Sequence, residues 1–412
     1  MRLASTFVLH GFQIGYPAFI TWLAAAMASQ VIGSEVVFYL GAGSLVLVGL
    51  EYGFRYSGAR EISLALENPA RIAEVIGAIM LVQTGFFFAA LLAAFVAIGI
   101  AGPSIGVATA LCVLVFMVLN GIIPTWIFIA LSLQREFLLL TAPVRLAGLG
   151  VALVAYHFHS IDGLFLSQCG AILAIHLSGL LLLHRKGYFA LSFRPKLAAS
   201  LLREGRDIFV MKLGVFSYTS AGVLILGIVQ SPEIVGAFGL CQRLVTAMQQ
   251  GSAPLFMTAY PLSVRYASGE RELATRLLRL NGTALLFSVG MSLAIALGGP
   301  ALLTAIGLDH YEGITRCILI MAPLPALVGL STLLVNNAVL AAKRDTIVRH
   351  VTLTTGAIGI PAYFAMTRLM GLFGAAATLT IIEACVALAY LTICIRENLL
   401  SSLFYWRSAH ES

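Results

Sequence analysis

Leu50-Glu51-Tyr52-Gly53-Phe54-Arg55-Tyr56-Ser57-Gly58-Ala59-Arg60-Glu61 follows an apolar run, Val36 to Leu50, that is already long enough to lie inside a membrane. The stretch then sets carboxylates and arginines where hydrocarbon is the default. A charge at the centre of a bilayer helix costs about 2.5–3.5 kcal/mol on insertion scales, so it calls for a partner or a polar interior to face. Glu51 and Arg55 are spaced i,i+4 and are placed to pair on one helix. Arg60-Glu61 falls at the predicted cytoplasmic boundary, where charge is cheap. The anomaly is therefore Glu51 and Arg55.

The rest of the chain fits the same environment. Its 412 residues are 60% hydrophobic and 10% charged, with a mean hydropathy of +0.97, whereas soluble domains carry about 25% charged residues. A soluble core is excluded and an all-α integral membrane protein is expected. A span needs roughly 20 apolar residues. Apolar segments recur at 4–31, 34–57, 73–100, 105–131, 137–156, 162–183, 207–229, 234–261, 277–299, 315–341, 347–367 and 372–395, which predicts about 12 transmembrane helices. Met1-Arg2 leads straight into the first segment, read as a retained span rather than a cleaved leader.

The net charge of +7 sits in short loops and predicts no nucleic-acid partner. Basic residues cluster on one side, as in Arg185, Lys186, Arg194, Lys196 and Arg203, while Glu35, Asp162 and Glu233 mark the other. By the positive-inside rule both termini are cytoplasmic. The long basic loop near the middle predicts an N-terminal six-helix lobe at 1–184, a cytoplasmic linker at 185–206, a C-terminal six-helix lobe at 207–396 and a cytoplasmic tail at 397–412. Glu35-Val36-Val37-Phe38-Tyr39-Leu40-Gly41 and Glu233-Ile234-Val235-Gly236-Ala237-Phe238-Gly239 each open the second span of a half. This is the mark of a parallel repeat, whose binding site lies in a central cavity between the lobes.

Polar residues inside the spans are the candidate site. Arg55, Arg145 and Arg243 are the candidate substrate-binding cations, since arginine holds phosphate in a fork. Glu51 and Glu383 are candidates for ion coupling. Gln242, Gln249, Asn336 and Asn337 are secondary polar candidates, with bonds to neighbouring helices as the plainer reading. Lys212 is read as snorkelling to the interface. Pro17, Pro124, Pro254, Pro325 and Pro361 predict bends or breaks.

Soluble-protein motifs mislead here. Gly41-Ala42-Gly43 lies in an apolar run and is no dinucleotide fingerprint. His157-Phe158-His159 has no third ligand near it, and the six scattered cysteines form no C-x-x-C pair, so neither metal nor other cofactor is predicted. Asn281-Gly282-Thr283 matches a glycosylation sequon on the wrong side of the membrane. No P-loop and no nucleophile triad is present, and the chain is not read as an enzyme.

Several segments together resemble one family. They are Pro17-Ala18-Phe19-Ile20-Thr21-Trp22; Glu51-Tyr52-Gly53-Phe54 with Ala59-Arg60-Glu61-Ile62-Ser63; Pro124-Thr125-Trp126-Ile127-Phe128 followed by Gln134-Arg135; Glu233-Ile234-Val235-Gly236 with Phe238; Tyr260-Pro261; and Gly307 to Tyr311. As a set they resemble the Wzx-type O-antigen and exopolysaccharide flippases of the multidrug/oligosaccharidyl-lipid/polysaccharide exporter superfamily. The resemblance implies about twelve helices in two lobes and movement of an undecaprenyl-diphosphate-linked oligosaccharide across the bacterial inner membrane by alternating access. It further implies coupling to H+ or Na+, contact with membrane lipids, and polysaccharide polymerase or assembly proteins as partners. Phe238 departs from the family's usual tyrosine. The competing readings are a multidrug or metabolite antiporter, a membrane glycan polymerase or ligase (disfavoured by the short outer loops), and a non-transporting scaffold.

Overall fold

A computed structural model describes residues 2–65, 67–189, 194–267, 270–308, 310–342 and 344–399, with helices and no strand among them. Hydrocarbon offers no partner to a peptide group, so each spanning segment must satisfy its own backbone, and a helix does so. In chain order the helices are α1 (Arg2–Met27), α2 (Gln30–Glu51), α3 (Phe54–Leu64), α4 (Pro69–Ala101), α5 (Val107–Gly121), α6 (Thr125–Ala130), α7 (Gln134–His157) and α8 (Ile161–Arg185). Then come α9 (Pro195–Thr219), α10 (Ala221–Val229), α11 (Pro232–Gln250), α12 (Ala253–Ala267), α13 (Ala274–Ala305), α14 (Ile314–Met321), α15 (Leu324–Leu334) and α16 (Asp345–Arg396). A π-helical turn, Val335–Leu340, comes after α15.

Eight helices are long and apolar enough to cross a membrane, or nine when the α9–α10 pair, bent by 49°, counts as one. At 1.5 Å per residue, the 52 residues of α16 would reach about 78 Å, more than twice a hydrocarbon core of about 30 Å. Gly371 (φ 55°, ψ −130°) breaks it. The expected segments 347–367 and 372–395 fall on either side of that break.

The chain divides into two compact units, one ending at Phe216 and the other starting at Ser217. In the first, α1 packs on α7, α2 on α5, and α8 on both α5 and α7. Its core centres on Ile20, Leu40, Phe116, Phe128, Phe137 and Phe165, all sealed from solvent. The Phe128 and Phe137 rings stack at 4.0 Å. In the second, α16 packs on α10, α14 and α15, and α13 packs on α12, α14 and α15. Large apolar side chains also point outward, among them Phe88, Leu92, Phe95 and Ile100 of α4 and Leu286, Leu293 and Leu297 of α13. Outward apolar bands on this scale require a lipid covering.

Broken helices expose carbonyls that in lipid cost several kcal/mol each when unpaired. Glutamine amides take several of them. Gln83 Nε2 donates to the Leu50 carbonyl near the end of α2 (3.2 Å), Gln230 Nε2 to Thr367 four residues before Gly371 (2.7 Å), and Gln242 Nε2 to Thr219 at the α9–α10 bend. At the turn between α4 and α5, both carboxylate oxygens of Glu35 accept backbone N–H groups, from Ser104 (3.0 Å) and Ile105 (2.9 Å).

Candidate functional site

The charged stretch is not one helix. α2 ends at Glu51, Tyr52 and Gly53 both take left-handed backbone (φ 37° and 92°), and α3 restarts at Phe54. The predicted i,i+4 pairing of Glu51 with Arg55 is overturned, because it assumed a continuous helix. The Glu51 carboxylate is held instead by the ammonium of Lys212 on α9. Lys212 is thus an ion-pair partner rather than a snorkelling anchor. Around this pair the break is fitted closely. The Tyr52 ring stacks on Phe209 at 4.7 Å. A Cβ on Gly53 would stand 2.9 Å from the Gly205 carbonyl oxygen, closer than real contacts allow. The backbone of Arg55 lies in α3, and its side chain is outside the described residues.

Lys212→Met is expected to lower stability by about 2 kcal/mol, because it strands a half-buried carboxylate. The Glu51→Gln/Lys212→Met double variant should regain most of that. Thermal denaturation in detergent measures both; equal midpoints for the single and double variants would show that the pair is not the cause.

Arg145 on α7 is 1% exposed. Its Nη1 donates to the Phe12 carbonyl of α1 (3.3 Å), and its guanidinium carbon lies 5.8 Å from the Phe12 ring centre and 5.6 Å from that of Tyr16. Its Nε has no partner, and no carboxylate pairs with it among the described residues. The Tyr16 hydroxyl donates to Gln168 Oε1, and Gln168 Nε2 donates to the Gly148 carbonyl (3.1 Å), so the cage around the cation is itself held in place. A cation retained at this depth on aromatic faces and one carbonyl keeps donor capacity for an anion.

In the second unit Arg243 is half-buried on α11, and Gln242 beside it braces Thr219. Gln249 is half-buried, and its carbonyl accepts the Ser252 hydroxyl at the α11–α12 junction (2.9 Å). Asn336 is half-buried in the π-helical turn, while Asn337 is sealed and donates to Asn281 Oδ1 of α13 (2.9 Å). That contact accounts for Asn281: it is a buried amide, not a glycosylation acceptor. Glu383 of α16 is 5% exposed and lies among Tyr218, Tyr363 and Tyr390, with no ion pair among the described residues. The hydroxyls of Tyr363 and Tyr390 have no hydrogen-bond partner. A carboxylate in this setting is fitted to take a cation. No group of three or more metal-ligating side chains occurs among the described residues.

Sequence reasoning missed Tyr16 and Gln168 around Arg145 and the three tyrosines around Glu383. Tyr16 and Gln168 are 152 residues apart, and nothing in either neighbourhood signals the other.

A sequence model described as "Polysaccharide biosynthesis protein" matches residues 24–267. The chain belongs to that family. No curated protein matches it. Among solved structures, this family member is similar to one described as an inward-facing multidrug resistance MATE family transporter of the MOP superfamily. That likeness has a TM-score of 0.66 and 13% identity, over 96% of each chain. It is also similar to the Vibrio cholerae MATE transporter VcmN in its bent form (TM-score 0.54, 15% identity, 97% of this chain and 99% of the other). A third is the lipid II flippase MurJ in an inward closed conformation (TM-score 0.56, 12% identity, 96% and 90%). At these identities the likeness shows the fold. Family and fold together make this polysaccharide-biosynthesis protein a multi-pass membrane transporter or flippase of the MOP superfamily. The resembling proteins are transporters and a flippase rather than enzymes.

Proposed function

We propose that the protein flips an undecaprenyl-diphosphate-linked oligosaccharide from the inner to the outer leaflet of the bacterial inner membrane by alternating access, without catalysing a covalent reaction. The observation that carries this is Arg145, a cation buried in an apolar bundle with an unpaired Nε and, among the described residues, no carboxylate against it. Such a group suits the diphosphate of a lipid-linked sugar, and the polysaccharide-biosynthesis family supplies the glycan context. The reading extends to about twelve spans in two six-helix lobes, with cytoplasmic termini and polymerase or assembly proteins as partners. Arg55 and Arg243 serve as further cations for the diphosphate, and Glu51 and Glu383 couple transport to H+ or Na+. Gln242, Gln249, Asn336 and Asn337 are secondary polar positions in this scheme.

The Glu383 cluster favours one second reading, a multidrug or metabolite antiporter, because a carboxylate among aromatic faces suits an organic cation. Depleting the protein in its host separates the two. The flippase reading expects lost surface polysaccharide and lipid-linked saccharide accumulating on the cytoplasmic side, with drug sensitivity unchanged. Intact surface polysaccharide together with raised sensitivity to cationic drugs would replace it with the antiporter.

A further inference from the structure

A second polar feature of the first unit has a chemistry unlike that of Arg145. A shallow notch opens where α1, α2, α4 and the α5–α6 break converge, lined by Gln13, Glu51, Gln83, Thr125, Trp126 and the backbone of 121–123. Its side chains are committed only in part. Gln13 Oε1 accepts the Thr125 hydroxyl (3.4 Å), which leaves the Gln13 amide N–H groups available. Gln83 Nε2 is spent on the Leu50 carbonyl, which leaves its Oε1. Glu51 Oε2 is taken by Lys212, which leaves Oε1. The Trp126 ring is seated against Gly58, where an added Cβ would stand 2.6 Å from the indole edge, so the ring is fixed in position.

The notch therefore presents neutral donors and acceptors side by side, next to an indole, with its one carboxylate already neutralised by an ammonium. A diphosphate needs surplus cation, which is missing here. A metal ion would compete with an ammonium already in place. Sugar hydroxyls each donate and accept, and a sugar ring offers a C–H face to an aromatic plane. We propose that this notch is a saccharide subsite: Gln13, Glu51 and Gln83 bond hydroxyls of the sugar next to the diphosphate, and Trp126 packs against its ring. This rests on the lipid-linked saccharide reading above and adds to it the place where the glycan itself is recognised.

The test uses the purified full-length protein in nanodiscs and three radiolabelled lipids: the undecaprenyl-diphosphate-linked saccharide extracted from the producing strain, bare undecaprenyl diphosphate, and phosphatidylglycerol. The wild type is expected to favour the saccharide-bearing lipid over the bare one. Gln13→Met and Trp126→Phe, the latter deleting the indole N–H with little change of shape, should each shrink that preference about three- to tenfold. Affinity for bare undecaprenyl diphosphate should not change, which also certifies folding. A preference that survives both variants overturns the subsite and leaves the flippase reading standing. Equal losses for both polyprenyl lipids mark a structural role and overturn the subsite too. A wild type that binds neither better than phosphatidylglycerol overturns the flippase reading with it.

Discussion

Arg145→Ala is expected to cut surface polysaccharide by about tenfold or more at matched membrane expression, the effect of losing one charge-assisted contact to phosphate. The residue is sealed by Phe12 and Tyr16 and bonded to a single carbonyl, so its cost of burial is offset by little within the resting protein. Truncation to alanine also opens a void. Arg145→Met fills that void and should lose export all the same, whereas Arg145→Lys keeps the charge without the planar fork and should retain a fraction. Surface polysaccharide is read by immunoblot against an expression-matched wild type. Full export by the methionine variant would sink the anion-binding role. Loss of folded protein in all three variants would reduce Arg145 to a packing residue.

The second large effect is on folding. A Cβ on Gly374 would stand 2.0 Å from the Met366 carbonyl oxygen and 3.0 Å from the Met370 Cβ. Those atoms belong to the other side of the Gly371 break, where the chain returns on itself. Backbone cannot yield there as a flexible side chain would. Gly374→Ala is therefore expected to cost about 3 kcal/mol or more, and Gly371→Ala about 1–3 kcal/mol for its left-handed φ. Gly170, which has open space around it in α8, is the comparison: alanine there should be neutral or slightly stabilising, since alanine is the better helix former. Detergent-solubilised yield and thermal midpoint measure all three. A Gly374→Ala protein as stable as Gly170→Ala would mean that the turn opens at little cost.

Hydropathy and loop charge make the membrane class and most span positions readable in the sequence, because lipid imposes long apolar runs and leaves few alternatives. Breaks are less legible. Pro124 does mark the α5–α6 interruption, but Tyr52-Gly53 passes for continuous helix although a glycine at that point is a stop signal. Partners are least legible. Glu51 and Lys212 are 161 residues apart, so the pairing depends on how α9 returns to the end of α2, which no local pattern encodes. Polar residues within spans are ambiguous for a physical reason. An amide that lines a binding site and an amide that caps a broken helix have the same composition and the same neighbours in sequence. Gln242 is legible as buried polarity, and only its bond to Thr219 shows that it braces a bend.

The π-helical turn at Val335–Leu340 has a consequence for chain length. A π turn accommodates one residue more than an α turn. Deleting a single residue there would let the segment relax to α and rotate the downstream chain by about 100° relative to α15. Asn337 would then leave Asn281, and two sealed amides would lose the hydrogen bond that joins them. Indels of one residue, harmless in the loops on either side of α13, are therefore forbidden in this turn. An alignment of relatives that closes a gap across it will be one register out for everything downstream.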